Sequence, residues 1–225
     1  MRGQSLGTSP NWTARQVARF KPFIFVLALY PALRWVWLGY TDGLTANPAE
    51  FLIRSSGIWA LVGLCLTLAI TPLRRIIKQP ALVRCRRMLG LFSFFYTVLH
   101  VWAWAFWERN WSLMSMWEDI MQRPFILIGV VAVVPMAALA ATSTQGWIRR
   151  LGRRWQTLHR TVYVIAGLSV WHFWLIRAGK NDFFEPYAYG AVVAVLLLIR
   201  AGYFFRHRQQ ERHVLKSANM TKRPT

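Results

Sequence analysis

Three histidines lie inside or at the lip of strongly apolar stretches: His100 in LFSFFYTVLHVWAW, and His159 with His172 in WQTLHRTVYVIAGLSVWHFW. An ionisable ring in hydrocarbon is costly, so it calls for a partner or a metal. Neutral imidazole is the usual ligand of a buried haem iron. These residue types in this setting point to electron transfer across a membrane.

The surrounding elements must be able to carry such a site. The chain has 225 residues, 55% hydrophobic and 15% aromatic, with 13 Trp, and its apolar residues come in long blocks rather than amphipathic stripes. Six stretches are long enough to cross a hydrocarbon core of about 30 Å at about 1.5 Å per residue. They are Pro22 to Tyr40, Gly57 to Leu73, Met88 to Trp107, Pro124 to Ala141, Leu158 to Ile176 and Tyr187 to Phe205. The expected fold class is therefore an all-α membrane protein, a six-transmembrane helix bundle with no soluble domain.

A net charge of +20 would suggest nucleic acid in a soluble protein, so the placement of the charges decides. Of the 28 Lys and Arg, four precede the first span, six lie in Arg74 to Arg87, four in Arg149 to Arg154 and six in the tail from Arg206. The alternate loops hold only Arg54, Arg109, Arg123, Arg177 and Lys180, together with seven of the eight acids. The positive-inside rule puts both termini and the basic loops in the cytoplasm. The basic clusters flank spans, so nucleic acid is not needed as a partner; the lipid bilayer and its anionic head groups are. Basic residues before the first apolar stretch, and Leu44-Thr45-Ala46 after it, loosely imitate a secretory signal. The long apolar region leading into further spans favours an uncleaved helix.

Depth arithmetic pairs two of the histidines. His100 is twelve residues beyond Met88 and His172 fourteen beyond Leu158, roughly 18 Å and 21 Å of rise from the cytoplasmic side. Both spans run outward, so the two rings are expected at matching depth, where bis-His ligation of a haem between the third and fifth spans is natural. His159, thirteen residues before His172, falls about 20 Å lower and roughly 140° round an ideal helix, so it cannot share that haem. Spacing leaves it open between ligating a second haem, with Met88 as a permissible partner, and a helix-start histidine bonded to a carbonyl, lipid or flavin phosphate. His207 and His213 fall in the polar tail, where solvated rings are the default.

Other residues receive blander readings. Arg34 and Arg200 are expected to snorkel from span ends to the surface. Arg86, Arg87, Arg153 and Arg154 crowd the cytoplasmic ends of the third and fifth spans and could hold an anionic flavin or nucleotide, although topology alone accounts for them. Trp35, Trp37, Tyr40, Trp102, Trp104, Trp107, Trp111, Trp171 and Trp174 are expected in an outer aromatic belt. Thr41 to Ser56, with Gly43, Asn47 and Pro48, reads as a periplasmic turn region. Pro31 and Pro135 fall inside spans, and internal repeats are not apparent. Only Cys65 and Cys85 occur, without CxxC or CxxCH spacing, which argues against disulfides, iron–sulfur clusters and covalent haem. Rossmann and Walker loops are absent, so reducing equivalents must come from quinol or a separate reductase.

The runs ITPLRRIIKQPALVRCRRMLGLFSFFYTVLH and TSTQGWIRRLGRRWQTLHRTVYV, with the span ending in His172, resemble the MsrQ (formerly YedZ) family of haem-bearing membrane subunits. The TPLRR, RRxLGL, TSTQ and LGxRWQxLHxxVY patterns occur together and in order, from about the first span to the sixth. The resemblance implies an inner-membrane protein that binds b-type haem and FMN. Such a subunit passes electrons from the quinone pool or a flavin reductase to MsrP, a periplasmic molybdopterin enzyme that reduces methionine sulfoxide in oxidised proteins. It also implies that His100, His159 and His172 are haem ligands. The spans and charge placement divide the chain into a cytoplasmic segment (1–21), a six-helix domain (22–205) and a cytoplasmic tail (206–225), and that domain is more distantly similar to ferric reductase transmembrane domains. In that wider family the third span holds two histidines. Here Arg87, thirteen residues before His100, stands in roughly the place of the second. Two other classes compete: a self-contained ferric or oxygen reductase, and a non-enzymatic scaffold or transporter whose histidines merely bridge helices.

Overall fold

A computed structural model describes residues 12–220, and among them every regular element is helical. The helices are α1 (Ala14–Tyr40), α2 (Pro48–Ile76), α3 (Val83–Ala103), α4 (Leu113–Gln122), α5 (Pro124–Ala141), α6 (Gln145–Leu151), α7 (Arg153–His159), α8 (Val162–Ala178) and α9 (Phe184–Met220). Six segments are long and apolar enough to cross a membrane: Arg15–Tyr40, Pro48–Ile76, Pro80–Glu108, Pro124–Ala141, Arg153–Ala178 and Phe184–Arg206. The protein is thus an all-α, multi-pass membrane protein. All six expected spans are present, and Pro124–Ala141 has the expected bounds.

Local chemistry moves several other boundaries. Thr41 to Ser56 is not one turn region, because the Asn47 side chain accepts from the Glu50 amide at 3.1 Å, Pro48 takes the first helical turn and Glu50 faces the helix's positive end. Helix α2 therefore begins a full two turns earlier than expected. Helix α1 begins at Ala14, inside the expected N-terminal segment, because Thr13 and Gln16 form a reciprocal capping box. The fifth span is interrupted at Arg160–Thr161, which leaves His159 at the end of α7. Helix α9 runs on to Met220, so most of the expected tail is helical backbone; residues 1–11 and 221–225, and the His207 and His213 side chains, fall outside the described residues.

Two helical hairpins form the centre. In α2 and α3 the backbones approach so closely that a Cβ on Gly63 would meet Ser93 at 3.0 Å, while the Ser93 hydroxyl donates to the Ala60 carbonyl at 2.7 Å. Small residues allow this contact where lipid gives apolar surfaces no incentive to associate. The second hairpin is α5 with α8. Between the hairpins and α9 lies a core of Leu61, Leu64, Cys65, Leu68, Met136, Val162, Ile165, Ala166 and Val193.

Helix α1 is more loosely attached. Val17 packs against Ile70, Cys85 and Leu89, and Tyr96 donates to the Ala28 carbonyl at 2.6 Å. Trp35 is buried and donates to Ser55 at 3.1 Å, so it belongs to the helix interface rather than to the expected aromatic belt. Trp37, Trp102, Trp107, Trp111, Trp171 and Trp174 are at least a third exposed. Arg34 is exposed, as a snorkelling side chain would be.

The two ends of the bundle differ in chemistry. At the acidic end, Arg54 pairs with Glu185 at 2.9 Å, Arg177 with Asp182 at 3.0 Å and also with Glu185, and Lys180 with Glu50. Together these tie α2, α8 and α9. Beside them Asp119, 5% exposed, is held by Arg109 at 2.7 Å, Arg123 at 2.9 Å and the Trp104 indole at 3.2 Å. At the basic end no carboxylate pairs with any Lys or Arg among the described residues.

Candidate metal centre

His100 and His172 project from α3 and α8 toward each other, their ring centroids 6.1 Å apart and their planes at 86°. The matching depth read from spacing is thus realised, with each ring seated on a neighbouring helix. The His100 Nδ1 lies 2.8 Å from the Ile53 carbonyl of α2, and the His172 Nδ1 lies 2.6 Å from the Phe125 carbonyl of α5. A carbonyl can only accept, so each Nδ1 carries the proton and each Nε2 keeps its lone pair. Metal-bound histidines are oriented by this kind of bond, which also raises their basicity.

Two glycines complete these seats. A Cβ on Gly57 would approach the His100 Nδ1 to 3.1 Å, and one on Gly129 would approach the His172 Cε1 to 3.0 Å. Each glycine follows its accepting carbonyl by four residues, one helical turn, so carbonyl and gap share a helix face. Sequence reasoning missed both. The only available signal was that Gly57 precedes His100, and Gly129 precedes His172, by the same 43 residues. That spacing acquires meaning once the hairpins are built.

The arrangement fits a porphyrin. Two imidazoles facing one metal through Nε2, at the 2.0–2.1 Å of metal–imidazole bonds, place their centroids about 6 Å apart. Among the described residues no group of three or more His, Cys, Asp or Glu could cage a bare ion. A metal held here must bring its remaining ligands with it, as haem iron does.

His159 lies elsewhere. Its ring stacks on Trp155 at 3.9 Å and 24°, and its Nδ1 lies 3.1 Å from the Trp155 carbonyl. Its Nε2 is buried without a hydrogen-bond partner. Arg86 lies near enough for its charge to act on this ring, and Arg200, Arg74 and Tyr163 lie within electrostatic reach of Arg86 in turn.

Arg200 corrects the snorkelling reading. Its guanidinium turns inward, donating to the Leu68 carbonyl at 2.6 Å, Thr71 at 3.0 Å and the Tyr163 hydroxyl at 2.9 Å. It bridges α2, α8 and α9, because the end of α2 offers an acceptor that lipid does not. Arg86 and Arg87 part company as well: Arg86 faces this cluster, whereas Arg87 lines a groove between α1 and α3.

Residues 56–170, which contain His100 and His159 and end two residues short of His172, match the family model described as ferric reductase like transmembrane component. The protein-methionine-sulfoxide reductase heme-binding subunit MsrQ of Bordetella pertussis is 58% identical over 196 residues, covering 87% of this chain and 95% of its own length. The chain belongs to the MsrQ family. The MsrQ protein of Herminiimonas arsenicoxydans is 46% identical, covering 87% of this chain and 90% of its own. That of Caulobacter vibrioides is 45% identical, covering 77% and 83%. MsrQ membership therefore extends across nearly the whole membrane domain rather than resting on one motif.

Proposed function

We propose that this chain is the haem-binding, electron-transferring subunit of an inner-membrane protein-methionine-sulfoxide reductase system. The observation that carries the reading is the facing pair His100 and His172, each Nδ1 committed to a backbone carbonyl and each Nε2 free. The names of the MsrQ relatives support the same role. Haem, when bound, supplies a one-electron couple in a medium where few protein groups can hold charge. The chain's part is to fix both rings, exclude water with the helix core, and set the ends of the route.

In this reading the basic end faces the cytoplasm, where electrons arrive from the quinone pool or a flavin reductase. The acidic end faces the periplasm and meets a molybdopterin-containing MsrP subunit, on which methionine sulfoxide is reduced. His159 is the third candidate ligand, for a second b-type haem; its orphaned Nε2 supports the role. Arg86 is placed to neutralise a haem propionate, or the phosphate of FMN if a flavin binds at this end.

The test is a reduced-minus-oxidised spectrum with haem quantification on His100→Ala, His159→Ala and His172→Ala. The His100 and His172 variants are expected to lose the same haem, and His159→Ala to leave that haem in place. Full haem content with unchanged spectra in either of the first two would sink the pairing. The family-model match leaves a second reading, a self-contained ferric reductase. It requires Fe(III) turnover by purified protein without a partner; the proposal requires turnover only when the sulfoxide-reducing subunit is added.

A further inference from the structure

Where α1 leaves α3 at the basic end, a groove of about 440 Å³ opens toward the lipid. Its walls are Phe25 and Leu29 of α1 and Leu91, Phe92 and Phe95 of α3, with Phe25 and Phe92 edge to face at 5.0 Å. Its rim carries three cations from two helices, Lys21, Arg84 and Arg87. Among the described residues none of the three has a carboxylate partner, since the ion pairs lie at the opposite end. From Lys21 to Leu29, and from Arg87 to Phe95, the groove runs eight residues into the membrane, about 12 Å.

We propose that this groove is a binding site for an anionic phospholipid, with its phosphate on Lys21, Arg84 and Arg87 and one acyl chain along Phe25, Leu29, Leu91, Phe92 and Phe95. The positive-inside rule explains cations at this end in general. It does not explain their convergence, from separate helices, on the mouth of one apolar slot. Guanidinium groups match phosphate oxygens in geometry, and basic pockets between membrane helices at this face are known head-group sites. A zwitterionic head group would bring its ammonium against three unpaired cations. A quinol head carries no charge to balance them. The lipid would then fill the seam between α1 and the rest of the bundle, which little else closes.

Native mass spectrometry of the purified full chain, with phosphatidylglycerol or phosphatidylethanolamine added, tests this independently of haem content. The wild type is expected to retain phosphatidylglycerol in preference. The Lys21→Gln/Arg84→Gln/Arg87→Gln variant should lose about ten-fold in retention, whereas Arg149→Gln/Arg150→Gln/Arg153→Gln, with the same charge removed from the same face, should not. Leu91→Trp, which fills the slot and leaves every cation in place, should also lose the lipid; it decides the matter if the triple variant fails to fold. Equal loss in the two triple variants, no preference between the lipids, retention by Leu91→Trp, or displacement of the phospholipid by equimolar quinol would each overturn the proposal.

Discussion

At the scale of single residues, the site depends as much on missing atoms as on those present. Gly129→Ala would place a methyl carbon 3.0 Å from the His172 ring and Gly57→Ala one 3.1 Å from the His100 ring, tighter than nine in ten real Cβ contacts. Each ring or its helix must then give by a few tenths of an ångström, in a seat where the carbonyl bond and the gap already fix the ring's position. Both variants are expected to lose most of the haem assigned to this pair. Gly167→Ala, with nothing within 4 Å, should keep it. Haem quantification on the three purified variants checks this; equal content in all would remove the glycines from the account. The buried carboxylate of Asp119 belongs to this scale too. Asp119→Ala leaves Arg109, whose side chain is 17% exposed, without its counter-charge, which should cost about 3 kcal/mol and lower the thermal midpoint in detergent. The histidines were legible in the sequence because a polar ring in an apolar run stands out by type. The glycines were not, because their purpose is set by a ring 43 residues away.

At the scale of elements, length and hydropathy reveal spans but not the polar joints between them. Pro124–Ala141 could be read directly, since its mean hydropathy of 2.4 and its terminal Pro leave no competing structure. The start of α2 could not, because its first turns carry Glu50, Arg54 and Ser55, which resemble a loop until Asn47 is recognised as a cap. Helix α4 went unnoticed for a related reason: it is ten residues long, and it is ordered by the ion pairs of Asp119 rather than by burial of its Leu113, Trp117 and Met121. Arg200 shows the reverse error, a charge assigned to solvent that instead joins three helices. Arg200→Leu therefore removes charged hydrogen bonds worth about 2 kcal/mol in total, and leaves the Leu68 carbonyl region unfilled. A lower thermal midpoint, with unchanged haem at the His100–His172 pair, is the expected result; an unchanged midpoint would restore the snorkelling view.

At the scale of the whole molecule, the bundle is a pair of like hairpins with two unlike ends. Ile53, Gly57 and His100 in one hairpin correspond to Phe125, Gly129 and His172 in the other, each displaced by 72 residues. The repeat is faint in the sequence because only the two equal Gly–His spacings record it, while its third member is a backbone carbonyl that every residue carries. The asymmetry of the ends could be read in advance, since charge placement is a property of composition along the chain. It carries an orientation test. A fluorescent protein fused after residue 225 should light up in the cytoplasm, and alkaline phosphatase fused there should stay silent; the opposite pattern would reverse the direction of electron flow proposed above. The main-chain seating of the two rings has one more effect. No amino-acid exchange deletes a peptide oxygen, so positions 53 and 125 are free to drift through any helix-compatible side chain while the imidazole tautomers stay as they are. Drift at those two positions is therefore wide, provided the glycine one turn further along each helix is kept.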